Sequence, residues 1–144
     1  MFYFLFMKTI KIISIILVII AVAVLIYFIF PRKIVIPEAY EIILKYNYHD
    51  KNIYEIIYDE NEIIKLTELF HGKYAFKDNP SCGFSEDISI TFVGKDNILM
   101  LCPALDKCNI NRIGTTNKYV NISEENRRKL ELFLEKYGFK FPAV

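Results

Sequence analysis

The segment Ile10–Phe30 constrains this chain more than any other, because its 21 residues include a single charged side chain, that of Lys11. As an α-helix this segment would be about 31 Å long, and the hydrocarbon core of a bilayer is about 30 Å thick. A helix pairs its backbone amides and carbonyls internally, as a lipid environment requires. The sequence therefore predicts a transmembrane helix over residues 10–30, with the lipid bilayer as its binding partner.

The residues beside this segment also fit a membrane boundary. Tyr27 and Phe28 supply aromatic rings near its end, where such rings favour the headgroup region. Pro31 ends the helix, and Arg32 and Lys33 follow at the depth of the headgroups.

Two other interpretations of this segment stay open. Ala21-Val22-Ala23 has the small-x-small pattern of a signal-peptidase site, but the next residues, Val24–Phe30, are apolar rather than polar. A buried core helix is the second alternative, although so long and unpatterned an apolar run is unusual for a core helix in a chain of 144 residues.

Cationic residues around the segment indicate its orientation. Lys8 and Lys11 lie on the amino-terminal side with the α-amino group, and Arg32 and Lys33 lie on the other side. This distribution slightly favours an amino terminus inside the cell. The expected organisation is a cytoplasmic segment 1–9, a transmembrane helix 10–30, a linker 31–37 and an extracytoplasmic domain 38–144.

The predicted domain differs in charge from the anchor region. All 17 Asp and Glu residues follow Pro37, together with 14 of the 18 Lys and Arg residues, so this part has a net charge of −3 while the whole chain has +1. A mildly acidic domain argues against nucleic-acid binding. It also argues against a basic face that lies on the membrane.

Alternating side chains after the linker predict strands. In Tyr40–Asn47 every second residue is a large apolar or aromatic one and most of the residues between them are polar. This alternation favours a strand over a helix that would begin at Glu38. Ile53–Tyr58 has the same character, and the polar residues between the two segments indicate a hairpin.

A second hairpin is expected around a Gly-Lys-Asp-Asn turn at residues 94–97. If Val93 lies opposite Ile98, one face of this hairpin is wholly apolar, which selects the register. Residues 73–87 are expected to form a loop. The strands expected from this part of the sequence are Ile88–Val93, Ile98–Cys102 and, more weakly, Cys108–Ile113 and Lys118–Ile122.

Two helices are indicated by their caps. Asp59 begins a helix of about twelve residues in which Glu62 is expected to complete a capping box, and Gly72 ends it. Ser123 caps the last helix, whose apolar stripe comprises Leu130, Phe133, Leu134 and Tyr137. The fold class is therefore α+β: an N-terminal transmembrane helix followed by a small antiparallel sheet with two packed helices.

The three cysteines, Cys82, Cys102 and Cys108, are the candidate site residues. Cys102 and Cys108 flank a five-residue turn and would lie opposite each other, within reach of a disulfide. Cys82 is then either free or the true partner of one of them, and three reduced thiols in a cytoplasmic domain are the alternative. A disulfide requires an oxidising compartment, which agrees with a domain outside the cell.

The sequence provides no motif for catalysis or for a cofactor. Zinc sites commonly pair cysteines two to four residues apart, whereas the cysteines here are separated by 19 and 5 residues, and His49 and His71 are distant from them in sequence. The paired carboxylates are adjacent in sequence, and the serines have no histidine partner motif. We therefore expect no metal, no cofactor and no catalytic residue. The 22 tyrosines and phenylalanines are expected in the core or facing the membrane.

A resemblance supports the expected compartment. It is carried by Cys-Gly-Phe at Cys82, by the segment Cys102–Cys108, by Lys118–Glu125 and by Leu-Glu-Lys-Tyr-Gly-Phe-Lys-Phe-Pro near the end. Over residues 55–142 the chain is similar to small membrane-anchored or exported proteins of low-GC Gram-positive bacteria whose activity is not known. The resemblance implies a compartment and no catalytic residue.

These observations favour a non-catalytic module that binds or scaffolds another protein of the cell envelope. One alternative is a thiol-based sensor or enzyme at the membrane surface that uses Cys82. Another is a membrane-bound immunity protein, a class in which small anchored domains are common.

Overall fold

The computed structural model describes residues 2–48 and 50–143. His49, expected in the turn after Tyr48, lies outside the described residues. Within them the chain forms three helices and eight strands in the order α1 Phe2–Ile29, β1 Arg32–Lys33, β2 Ala39–Tyr48, β3 Lys51–Ile57, α2 Glu60–Phe70, β4 Tyr74–Lys77, β5 Ile88–Gly94, β6 Ile98–Pro103, β7 Ile110–Ile113, β8 Lys118–Asn121 and α3 Glu124–Lys136.

The first compact unit ends at Pro31 and contains the apolar helix α1, which itself ends at Ile29. The stretch Lys11–Ile29 is long and apolar enough to cross a membrane, and none of it is buried by other parts of the described chain. α1 begins at Phe2, so residues 2–9 are helical as well.

The second unit begins at Arg32, so residues 32–37 belong to the folded domain and not to a linker. Arg32–Lys33 pairs with β4, and the amide of Ile34 donates to the carbonyl of Lys73 at 2.9 Å. Pro37 packs so closely on Gly94 that a Cβ at that glycine would lie 2.6 Å from the Cβ of Pro37. Only Phe30 and Pro31 lie between the end of α1 and the start of β1.

One antiparallel sheet of eight strands forms the domain, in the order β1-β4-β8-β7-β6-β5-β2-β3. The α+β class is confirmed, although the sheet is larger than expected. The strand assignment of Tyr40–Asn47 is also confirmed, since β2 pairs with both β3 and β5. In the second hairpin Val93 lies opposite Ile98, as the apolar pattern predicts.

Residues 73–87 were expected to be a loop, but the segment Tyr74–Lys77 forms the strand β4 between β1 and β8. Four residues are too few for an alternating pattern to distinguish a strand from a loop. Its pairing depends on two strands that are distant in sequence. Residues 78–87 then lead from β4 to β5, and Phe84 packs on Tyr119 with ring centroids 5.3 Å apart.

Both domain helices cover the same face of the sheet. Each large apolar side chain that is fully buried there contributes about 1.5–3 kcal/mol to stability. The sheet side of this core includes Ile42, Leu44, Ile90, Phe92, Leu101 and Val120, and the helix side includes Ile63, Leu66, Phe70, Leu130 and Leu134. In the tail Phe139 is buried and Phe141 packs against the same core.

The caps of both helices are as expected, but Glu62 has a different role. The Asp59 carboxylate accepts the amide of Glu62 at 2.9 Å, and the Ser123 hydroxyl accepts the amide of Asn126 at 3.1 Å. The Glu62 carboxylate does not complete a capping box. It accepts hydrogen bonds from Lys136 and Tyr137 and so joins α2 to the end of α3.

We predict that Glu62→Gln destabilises the domain by about 1–2 kcal/mol at neutral pH, because the hydrogen bonds of a charged acceptor are the strong ones. Hydrogen bonding to Lys136, and then to Tyr137, lowers the pKa of Glu62 below its ordinary value of 4.5. Its contribution to stability is therefore complete above pH 4.5 and is lost as the pH falls through the pKa of the folded state.

The measurement is urea unfolding of the full-length chain in detergent, followed by near-ultraviolet circular dichroism at several pH values. Glu135→Gln, which changes an exposed carboxylate on α3, is the matched control. Equal stability of the wild type and Glu62→Gln at neutral pH would contradict the proposed link between the helices.

Candidate functional site

The cysteines pair differently from the first expectation. Cys82 and Cys108 form a disulfide with an S–S distance of 2.04 Å, which is the alternative that the sequence left open. Cys102 is free and buried. The expected Cys102–Cys108 pairing is wrong because Cys102 lies opposite Arg112 in the register of β6 and β7.

A local turn causes this register. The Asp106 carboxylate accepts the amide of Cys108 at 2.9 Å. The connection covers residues 104–109 and not 103–107 as expected, and β7 begins only at Ile110. Cys108 consequently lies in the loop, where the segment around Cys82 passes. The amide of Leu105 donates to the carbonyl of Gly83 at 2.9 Å, next to the disulfide.

The reactivity of the three cysteines is limited by burial in one case and by the disulfide in the other two. Burial raises the pKa of the Cys102 thiol, with a smaller opposing influence from Arg112, so this thiol is a poor nucleophile. The sulfurs of Cys82 and Cys108 and the Asp106 carboxylate lie within 4.8 Å of one another, but the two sulfurs are bonded to each other. A sensor that uses a Cys82 thiol therefore lacks its thiol in this structure.

A buried cation, Arg127, was not anticipated. It is 3% exposed, and its Nη2 donates to the carbonyls of Ala104 and Asp106 at 2.9 and 3.0 Å. Its Nε donates to Glu131 at 2.7 Å, and the guanidinium lies 5.0 Å from the centre of the Phe141 ring. These contacts hold α3 to the loop that carries the disulfide and to the tail, which is a structural role.

A groove of about 420 Å³ lies between α2 and α3. Asn126 donates to the carbonyl of Leu69 at 3.0 Å, and Lys129 pairs with Glu125 at 2.6 Å, so these two side chains serve contacts between the helices and within α3. The described lining consists of Lys65, Leu66, Glu68, Leu69, Asn126, Lys129 and Phe133.

The edge strand β3 is the most unusual surface of the domain. It ends the sheet and pairs only with β2 among the described residues. Tyr54, Ile56 and Tyr58 alternate along this edge, and their exposed fractions are 62%, 40% and 65%. Desolvation and the neighbouring Glu41 carboxylate raise the pKa of the Tyr58 hydroxyl.

Exposed apolar side chains are concentrated at this end of the sheet. Tyr40, at the start of β2, is 57% exposed and adds to the row of Tyr54, Ile56 and Tyr58. These four are nearly half of the large apolar side chains that are exposed in the described domain. The sequence analysis expected the three tyrosines among them in the core or facing the membrane. Their signal in the sequence is the alternation of Tyr54, Ile56 and Tyr58, which places them on one face of the strand.

Comparisons with protein-family models, with curated proteins and with solved structures each found no match. The chemistry of the described residues is therefore the basis on which a function is proposed.

We predict that removing the Cys82–Cys108 disulfide, by Cys82→Ser or by Cys108→Ser, destabilises the domain by about 3 kcal/mol, because the bond closes a loop of 26 residues in the unfolded chain. The double variant should have nearly the same stability as either single variant, since all three lack the same bond. Urea unfolding of the full-length chain in detergent measures this.

Counting thiols tests the pairing itself. The urea-unfolded, unreduced protein should take up one alkyl group, at Cys102, and the reduced protein should take up three. Cys102→Ala, the control, should then take up none before reduction. Two alkyl groups on Cys82 and Cys108 before reduction would contradict the disulfide.

Proposed function

We propose that this chain is a single-pass membrane protein whose amino terminus lies in the cytoplasm and whose α+β domain lies outside the cell. The domain is a non-catalytic module that binds another protein of the cell envelope through the edge strand β3. The observation that carries the binding role is the row of exposed apolar side chains along this edge.

The anchor is supported by the surface of α1. The 19 residues Lys11–Ile29 have no side chain buried by the rest of the described chain, and as a helix they extend about 29 Å, close to the thickness of a bilayer core. Lipid removes this apolar surface from water. Cleavage after Ala23 would leave an exposed apolar segment, Val24–Phe30, directly before the folded domain, so retention of the helix is the better account.

The outside location is supported by the disulfide. Disulfides persist in oxidising compartments and are rare where thiols are kept reduced. The Cys82–Cys108 bond joins two loops of the domain, while the third cysteine is buried in the sheet. The positive charges that precede α1 favour the same orientation.

The binding role follows from the physics of a strand edge. In an antiparallel pair, alternate residues bond to the neighbouring strand, so the other residues of β3 direct their N–H and C=O groups away from β2. An extended segment of a partner can pair with these groups as an added strand. The side chains of Tyr54 and Ile56 then supply apolar contacts that favour particular partner residues.

We predict that a photo-crosslinking phenylalanine analogue at Tyr54 captures a partner protein in intact cells. The same analogue at Leu132, which is 61% exposed on α3, should capture none, although the exposed fraction is nearly equal. Adding Ile56→Lys, a charge of the kind that protects natural strand edges, should reduce the crosslinked product at position 54 about tenfold. Equal capture from both positions, or none from Tyr54, would contradict the proposed edge.

We predict that Arg128→Cys, an exposed position on α3, is labelled in intact cells by a membrane-impermeant maleimide. The wild type should stay unlabelled, because its only free cysteine is buried. Labelling of Arg128→Cys only after lysis would place the domain inside the cell. The intact mass shows at the same time whether residues 1–23 have been removed.

A further inference from the structure

We propose that the end of the sheet formed by β1, β4 and β8 contacts anionic lipid headgroups. This inference rests on the proposed membrane anchor, but it concerns a different surface from the β3 edge. It gives the domain a second partner, a lipid surface of negative charge.

The charges of the domain are unevenly distributed. The ten residues of β1, β4 and β8 include Arg32, Lys33, Lys77 and Lys118 and no Asp or Glu. Lys77 and Lys118 belong to the part after Pro37 whose net charge is −3, and β1 places Arg32 and Lys33 beside them, so one side of the sheet is basic. The net charge of the domain argued against a basic face on the membrane. The distribution of charge across the sheet favours one.

Three of these cations share one face at one end of the strands. Lys77 lies directly opposite Lys118, and Arg32 lies opposite Ala75, two residues before Lys77. Side chains two residues apart point to the same face of a strand. Opposed like charges destabilise a sheet, and neither lysine forms an ion pair with a carboxylate among the described residues. An external layer of anions would relieve this repulsion.

The other face of the same edge also fits a headgroup layer. Lys33 lies opposite Tyr74, with its Nζ 5.7 Å from the centre of the ring, and Tyr74 is 51% exposed. Tyrosine and lysine are enriched at membrane interfaces. Because β1 has only two residues, this edge offers a partner strand much less backbone than β3 does.

The covalent chain brings this region to the bilayer. Only Phe30 and Pro31 separate the last residue of α1 from Arg32, and three residues span at most about 11 Å. Arg32 begins β1 at the same end of the strands as Lys77 and Lys118. Attraction to an anionic surface acts over about 8 Å at physiological salt, and the proposal places Arg32, Lys77 and Lys118 within this range.

The experiment compares lysine acetylation in the full-length protein, reconstituted in nanodiscs of phosphatidylcholine with and without phosphatidylglycerol. Acetic anhydride is used because it is neutral and is not repelled by anionic lipid. We expect Lys33, Lys77 and Lys118 to react about tenfold more slowly with phosphatidylglycerol present, and to recover at high salt, where charges are screened. Lys107, exposed in the loop between β6 and β7, is the internal reference and should not change.

A variant pair assigns the effect to the proposed residues. In Lys77→Gln/Lys118→Gln the protection of the reporter Lys33 by phosphatidylglycerol should be lost, and in Lys107→Gln it should be retained. Equal rates in both disc types, or equal slowing of Lys107, would overturn the lipid contact while leaving the anchor intact. Failure of the chain to enter nanodiscs at all would overturn the anchor and this inference with it.

Discussion

The exposed apolar surface of α1 is the constraint on which the other properties of the chain depend. No side chain of Lys11–Ile29 is covered by the rest of the described protein, and each large apolar side chain left in water forgoes about 1.5–3 kcal/mol of stabilisation. The proposed bilayer supplies a solvent other than water for this helix. Between α1 and Arg32, which already pairs in the sheet, lie only Phe30 and Pro31.

The two edges of the sheet are consequently unequal. The chain that leaves α1 forms β1 and covers one side of β4, which leaves a two-residue strand at that edge. At the other edge β3 has seven residues and one neighbour. Natural sheets protect their edges by shortness and by charge, and β1 has both features. The row formed by Tyr54 and Ile56 on β3 and by Tyr58 directly after it carries no charge, so the two edges suit different proposed partners.

Patterns that depend on neighbouring residues were predicted well from the sequence. The register of β5 and β6 follows from one apolar face, and the caps at Asp59 and Ser123 follow from local hydrogen bonds. Features that depend on distant segments were predicted less well. The strand β4, which was expected to be a loop, exists because β8 and β1 pair with it. The disulfide joins Cys82 to a loop 26 residues away, a pairing that the sequence left open as an alternative.

The candidate site belongs to this second group for a physical reason. Ile53 and Ile57 lie on one face of β3 and Tyr54 and Ile56 on the other, so both faces carry apolar side chains, as in a buried strand. Whether such a face is covered depends on whether another strand or a helix follows beside it. Here the sheet ends at β3, and the helices cover one face only. An apolar face of β3 is therefore left exposed by the topology, which local sequence patterns do not encode.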